Sequence, residues 1–199
     1  NIWPISFFSF EDLRLFFSLV LIAISCIIMG AGIPTTATYI ILVAVAAPAL
    51  AQLGIEPLVA HFFVFYYGVL ADITPPVALA AYAASGIAKS NPFKTGNTAF
   101  RLGIAKALVP FVFVYSPSLL LITGEFQTNQ LIITLIGTLI GIALIGIAFS
   151  GYWFRPLEKY EQIVIGIGSL FFVAPGIESM VFGLLIISPM LFLQFVKKN

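Results

Sequence analysis

Between Arg14 and Lys89 the chain carries no lysine or arginine, and the acids in that interval are Glu56 and Asp72. A stretch of that length without cationic side chains cannot form the surface of a water-soluble domain, where about a quarter of residues are charged. The whole sequence agrees, with 61% hydrophobic and 9% charged residues. The expected fold is an all-α polytopic membrane protein, its apolar runs read as membrane helices. With a formal net charge of +1, there is no basic surface for nucleic acid, and none is expected as a partner. The remaining environment is membrane lipid.

Within this interval the apolar pattern breaks twice. The first break is "GAGIPTTATY" from Gly30 to Tyr39, between runs over Leu13–Met29 and Ala37–Leu53. Each run has about 17 residues, the short limit for crossing about 30 Å of hydrocarbon at 1.5 Å per residue. Two short spans, or a re-entrant helical hairpin over 13–53 with its tip at Gly30–Thr36, both fit these lengths. The composition favours the hairpin: glycines turn tightly inside protein, and threonines can cap the next helix.

The second break, "ADITPPVALA" from Ala71 to Ala80, interrupts an apolar segment over 58–88. This reads as one discontinuous transmembrane helix, with Thr74 as N-cap and Pro75 as first residue of the restarted half. A further crossing over 93–122 carries Pro110 and Pro117 as kinks. Residues 131–199 form a C-terminal extension: a span over Leu131–Phe154 with an aromatic belt at Tyr152, Trp153 and Phe154, then two short helices over Ile163–Val196 closing at Lys197 and Lys198. Trp3, Phe7, Phe8 and Phe10 precede the first run as interfacial aromatics. Clusters at Lys89–Lys106, Arg155–Lys159 and Lys197–Lys198 mark the cytoplasmic side by the positive-inside rule. The chain begins without a signal-peptide pattern and reads as the C-terminal part of something longer.

Broken backbone at mid-membrane belongs where it is buried in protein or lines a polar cavity. Two consecutive breaks point to one shared site, and freed carbonyls with half-helix termini suit a small cation and an anionic substrate, the pattern of a secondary transporter. The candidate cation ligands are the hydroxyls of Thr35, Thr36 and Thr74, the Asp72 carboxylate, and carbonyls near Gly30, Gly32 and Ala71. Hard oxygen donors of this kind point to sodium as coupling ion, and no other cofactor is implied. Thr35, Thr36, Pro75 and Pro76 are the candidate substrate contacts. Asp72 has three readings: cation ligand, proton exchanger, or cap of the restarted helix. His61 reads as a packing histidine, and Cys26 as packing or lipid-facing.

No catalytic residues are expected. An intramembrane aspartyl protease needs two facing aspartates, and the other aspartate here, Asp12, is interfacial. Pairing His61 with Ser85 would have to cross the break without a nucleophile turn. The alternative to transport is a non-catalytic structural membrane subunit, which explains hydrophobicity but not two breaks.

"GAGIPTTATYIILVAVAAPAL" from Gly30, "HFFVFYYGVLADITPPVALAAYAASGIA" from His61 and "NPFKTGNTAFRLG" from Asn91 resemble the large membrane subunit of tripartite ATP-independent periplasmic (TRAP) transporters, and more narrowly the fused permeases that join the small four-helix subunit to it. The resemblance covers Gly30 to about Leu120, and 131–199 resembles the extension of the fused type. It implies a bacterial or archaeal cytoplasmic-membrane permease of the elevator type. Such a permease uses a sodium gradient to import organic anions such as carboxylates, delivered by an extracytoplasmic solute-binding protein. It also implies two inverted halves, each with a hairpin and a broken helix. Residues 1–122 would be the second, so that the N-terminal half and the four-helix portion are missing partners. Gly30–Thr36 would be the second hairpin tip and Ala71–Pro76 the unwound segment facing it. Unfused relatives usually lack an acid where Asp72 stands and have glycine at the position of Ala78.

Overall fold

The computed structural model describes residues 10–121, 128–174 and 176–196. The expectations placed on Trp3, Phe7, Phe8, Lys197 and Lys198 lie outside the described residues, as does most of the turn after the third crossing. Among the described residues nine α-helices follow one another: α1 (Phe10–Gly30), α2 (Thr35–Gln52), α3 (Pro57–Ala71), α4 (Leu79–Ile87), α5 (Pro92–Gly103), α6 (Val109–Tyr115), α7 (Thr128–Ser150), α8 (Lys159–Val173) and α9 (Ile177–Val196). No strand occurs among the described residues, and five stretches are long and apolar enough to cross a membrane: Leu13–Gly30, Thr35–Gln52, Pro92–Tyr115, Thr128–Ser150 and Ile177–Gln194. The chain is an all-α polytopic membrane protein.

Helices α1, α2 and α3 pack as a trio. Leu19, Ala23 and Cys26 of α1 and Leu42, Ala46 and Leu50 of α2 recur at helical spacing and meet Val59, Phe63, Tyr67 and Leu70 of α3. Cys26 is therefore a packing residue. Phe17, Leu21 and Ile28 of α1 and Ile40 and Val45 of α2 stay exposed, as expected of faces whose solvent is hydrocarbon. Lipid is as apolar as leucine, so close packing and interhelical hydrogen bonds hold such a trio. Tyr39 of α2 and His61 of α3 supply one, with the hydroxyl 2.8 Å from Nδ1. His61 is thus engaged in packing, and Ser85 donates to the Tyr82 carbonyl at 2.7 Å.

The turn after α2 places Gly54 at φ +79°, a left-handed conformation that glycine adopts without strain, and Pro57 opens α3. Beyond the second break, the crossing expected over 93–122 is not one kinked helix. The α-helical ladder tightens after Gly103 into a 3-10 segment over Ile104–Leu108, resumes as α6, and stops at Ser116 before a second 3-10 turn over Pro117–Leu120. Pro110 lies in the first turn of α6, where a missing N–H costs nothing, so it does not kink the helix. Pro117 marks where α6 has already ended. The tightened segment takes a bond from outside: the Tyr67 hydroxyl donates to the Ala107 carbonyl at 2.6 Å.

In the extension, α7 packs on α8 and α8 on α9. Small residues let the backbones approach. A Cβ on Gly137 would stand 2.6 Å from the Phe172 carbonyl oxygen, and one on Gly183 2.8 Å from that of Gly168. The expectation of two short helices here is corrected: α8 has 15 residues, but α9 has 20 and is long enough to cross. The extension meets the rest of the chain mainly through α7, which packs on α5 and on both 3-10 turns. Arg101 of α5 crosses this seam, donating from Nη2 to the Phe149 carbonyl in the last turn of α7 at 2.8 Å.

Candidate functional site

The hairpin tip is short. Ile33 N–H donates to the Gly30 carbonyl at 3.3 Å, Gly32 takes φ +82°, and Pro34 occupies the N-cap position of α2. The threonines do not cap: no side chain accepts a hydrogen bond at the start of α2. Proline already fixes the entry geometry there, and Thr35, as first helical residue, points its hydroxyl elsewhere. The uncapped first-turn N–H groups of α2 leave partial positive charge at the tip.

The break spans the seven residues between Ala71 and Leu79. The expectation that Thr74 caps and Pro75 opens the second half is corrected, since α4 begins at Leu79 with Ala78 as its N-cap. The residue before a proline is pushed out of the helical region. "TPP" therefore bars both Thr74 and Pro75, and the helix waits until Pro76 is passed. The Thr74 hydroxyl instead donates back to the Leu70 carbonyl at 2.7 Å. Nor does the Asp72 side chain cap α4. Asp72 is the C-cap of α3, and its carbonyl receives the Ala80 N–H at 3.1 Å. The Ala71 carbonyl takes the Thr74 N–H at 3.1 Å, and the Pro76 carbonyl takes the Tyr82 hydroxyl at 2.7 Å. An unwound segment in lipid must close its own hydrogen bonds in this way.

Tip and break are brought together. The Thr35 hydroxyl donates to Asp72 Oδ2 at 2.6 Å. A Cβ built on Gly30 would stand 2.9 Å from both the Ala71 Cβ and the Thr38 Cγ2, and one on Gly32 3.2 Å from Val77 Cγ1. Thr38, which is 1% exposed, donates to the Ile33 carbonyl at 3.1 Å and holds the tip from behind. The α3 helix of 15 residues is about 22 Å long, and the tip lies beside the break that follows its C-terminal end.

Of the residues singled out in the sequence, Gly30, Thr35, Ala71 and Asp72 converge. Gly32 and Pro76 are exposed, Thr74 and Pro75 are half-buried, and Thr36 is exposed on the first turn of α2. Thr35 has spent its proton, but a hydroxyl that donates keeps lone pairs to offer a cation, so that Thr35 and the Asp72 carboxylate present oxygen donors side by side, while the Thr74 hydroxyl is turned to the Leu70 carbonyl. No group of three or more His, Cys, Asp or Glu side chains that could hold a metal ion occurs among the described residues.

One polar centre escapes the sequence reading. Glu161, 0% exposed, accepts from Nη2 and Nη1 of Arg155 at 2.5 and 3.2 Å, from the Glu158 N–H at 2.9 Å and from Gln194 Nε2 at 3.3 Å. It closes a capping box with Glu158 at the start of α8. The spacing of Glu158 and Glu161 was the available signal. This centre lies in the extension and holds the loop after α7 to α8 and α9.

Compared with known proteins, residues 9–128 match the family model described as "Tripartite ATP-independent periplasmic transporter, DctM component". Searches of curated proteins and of solved structures give no match.

Proposed function

Because the chain belongs to the DctM component family of tripartite ATP-independent periplasmic transporters, and so is a membrane component of such a transporter, we propose that it couples sodium entry to the import of an organic anion such as a carboxylate. The anion is delivered by an extracytoplasmic solute-binding protein. In this reading residues 1–122 are one repeat of a two-repeat elevator in a bacterial or archaeal cytoplasmic membrane. They work with an N-terminal half and a four-helix portion, and residues 131–199 are an appended extension.

The observation that carries the reading is the Thr35–Asp72 bond where tip meets break. No basic side chain pairs with Asp72 among the described residues. An anionic substrate approaching the tip therefore meets a carboxylate it would repel, strongly so at low dielectric. A cation held by Asp72, with the Thr35 and Thr74 oxygens, cancels that repulsion. Cation and anion then favour each other's binding by the same factor, as linkage requires.

The test is uptake into proteoliposomes by the full-length transporter with its binding protein. Carboxylate accumulation should require an inward sodium gradient and should vanish without the binding protein. Equal uptake on a potassium gradient would refute the coupling.

The contact at Gly30 yields a further expectation. Gly30→Val places branched carbons where even a Cβ approaches Ala71 Cβ, which is fixed to the α3 backbone and cannot swing aside. Uptake should fall at least about tenfold, the effect of about 1.4 kcal/mol of misplacement, while membrane abundance falls less. Wild-type uptake would show that tip and break need not meet.

A further inference from the structure

From residue 73 to residue 124 the sequence has no Asp or Glu, yet it carries Lys89, Lys94, Arg101 and Lys106. All four are exposed, and no ion pair holds Lys89, Lys94 or Lys106 among the described residues. An open groove of about 380 Å³ runs along α5, lined by Lys94, Thr95, Thr98, Ala99 and Leu102. Its size falls within the range of small-molecule sites.

The groove is graded along its length. Lys94, Thr98 and Leu102 lie one turn apart on a single face, so the lining passes from ammonium to isobutyl over about 12 Å. Leu102, at the apolar end, is 64% exposed. The threonine hydroxyls are turned inward, Thr95 to the Asn91 carbonyl at 3.0 Å and Thr98 to that of Lys94 at 2.9 Å. That leaves the lysine as the outward donor. A hydroxyl contact of 2.8 Å between Ser90 and Thr95 brings the linker bearing Lys89 to the same end. A soluble anion would leave the leucine end bare, whereas a phospholipid has the matching gradient. An ammonium reads charge rather than headgroup shape.

We propose that this groove seats an anionic phospholipid, with its phosphodiester at Lys89 and Lys94 and an acyl chain along Ala99 and Leu102. The groove shares no lining residue with the tip or the break, and it stands whether or not the transport reading does.

The test uses the full-length transporter in nanodiscs doped with diazirine-bearing phosphatidylglycerol or phosphatidylcholine, with cross-links mapped by mass spectrometry. Cross-linking to residues 90–106 should favour phosphatidylglycerol severalfold. Lys94→Gln and Lys89→Gln should each lower that preference about fivefold, toward parity, and Lys159→Gln should leave it unchanged. Equal labelling by the two lipids would overturn the proposal. So would absence of labelling, which would mean that a protein segment covers the groove, or loss of labelling on adding inorganic phosphate, which would assign the groove to a soluble anion.

Discussion

Asp72→Asn should raise the sodium concentration for half-maximal uptake about ten- to hundredfold, the change expected from losing one charge-assisted contact of about 1.5–3 kcal/mol. The amide keeps the size of the side chain and an oxygen that can accept from Thr35, so the tip can still seat on the break. What it removes is the charge. Thr35→Val and Thr74→Ala should shift the same curve by smaller factors, because each deletes one neutral oxygen, and the serine variants at both positions should be milder. Since cation and anion are linked, Asp72→Asn should also make anion uptake less dependent on sodium. A sodium activation curve left in place, with reduced protein abundance, would reduce Asp72 to an anchor for Thr35. The ion would then have to be held by backbone and threonine oxygens.

The second large effect lies far from the tip. Glu161→Ala should destabilise the protein by about 3 kcal/mol, the lower end of the cost of breaking a buried pair, because the Arg155 side chain retains 17% exposure to solvate its stranded charge. The same change leaves the Glu158 N–H and Gln194 Nε2 without their acceptor. Glu161→Gln should be milder, since the amide oxygen can still receive one of these donors. Unfolding of the purified full-length protein in a denaturing-detergent titration would measure both. An Ala variant as stable as wild type would show that the Glu161 centre does not hold α8 to α9. Sodium dependence measured on the surviving folded fraction should be unaltered, which separates this centre from Asp72.

Glycine, proline and threonine inside apolar runs announced both breaks, because lipid punishes an unpaired backbone and such residues stand there only where something else satisfies it. The consequences of "TPP" were harder to read. Pro75 suggests a helix start, but Pro75 denies Thr74 the helical region and Pro76 denies it to Pro75, so the helix cannot restart before Pro76, and it starts at Leu79. Thr35 was legible as an oxygen donor near the tip. Its pairing with Asp72, 37 residues away, depends on how the hairpin seats on α3. Burial of Glu161 was equally hidden: local pattern shows an acid in a first turn, while Gln194, 33 residues further on, supplies part of its enclosure. Two helices over Ile163–Val196 were legible, but the length of α9 was not: it carries Pro189 within its 20 residues.

The seam at α7 bears on how such a protein can change over generations. The family match ends at residue 128, the residue that opens α7, and among the described residues the boundary is crossed mainly by the α7 face and the Arg101 bond to Phe149. Selection then acts on the two sides through different filters. Drift in α8 and α9 is screened chiefly for fit to α7, and drift at the tip and break for what they bind. A lineage could therefore gain, lose or rewrite α7, α8 and α9 by recombination near codon 128 while keeping the family-matched part intact, provided that Arg101 still finds a helix end to hold.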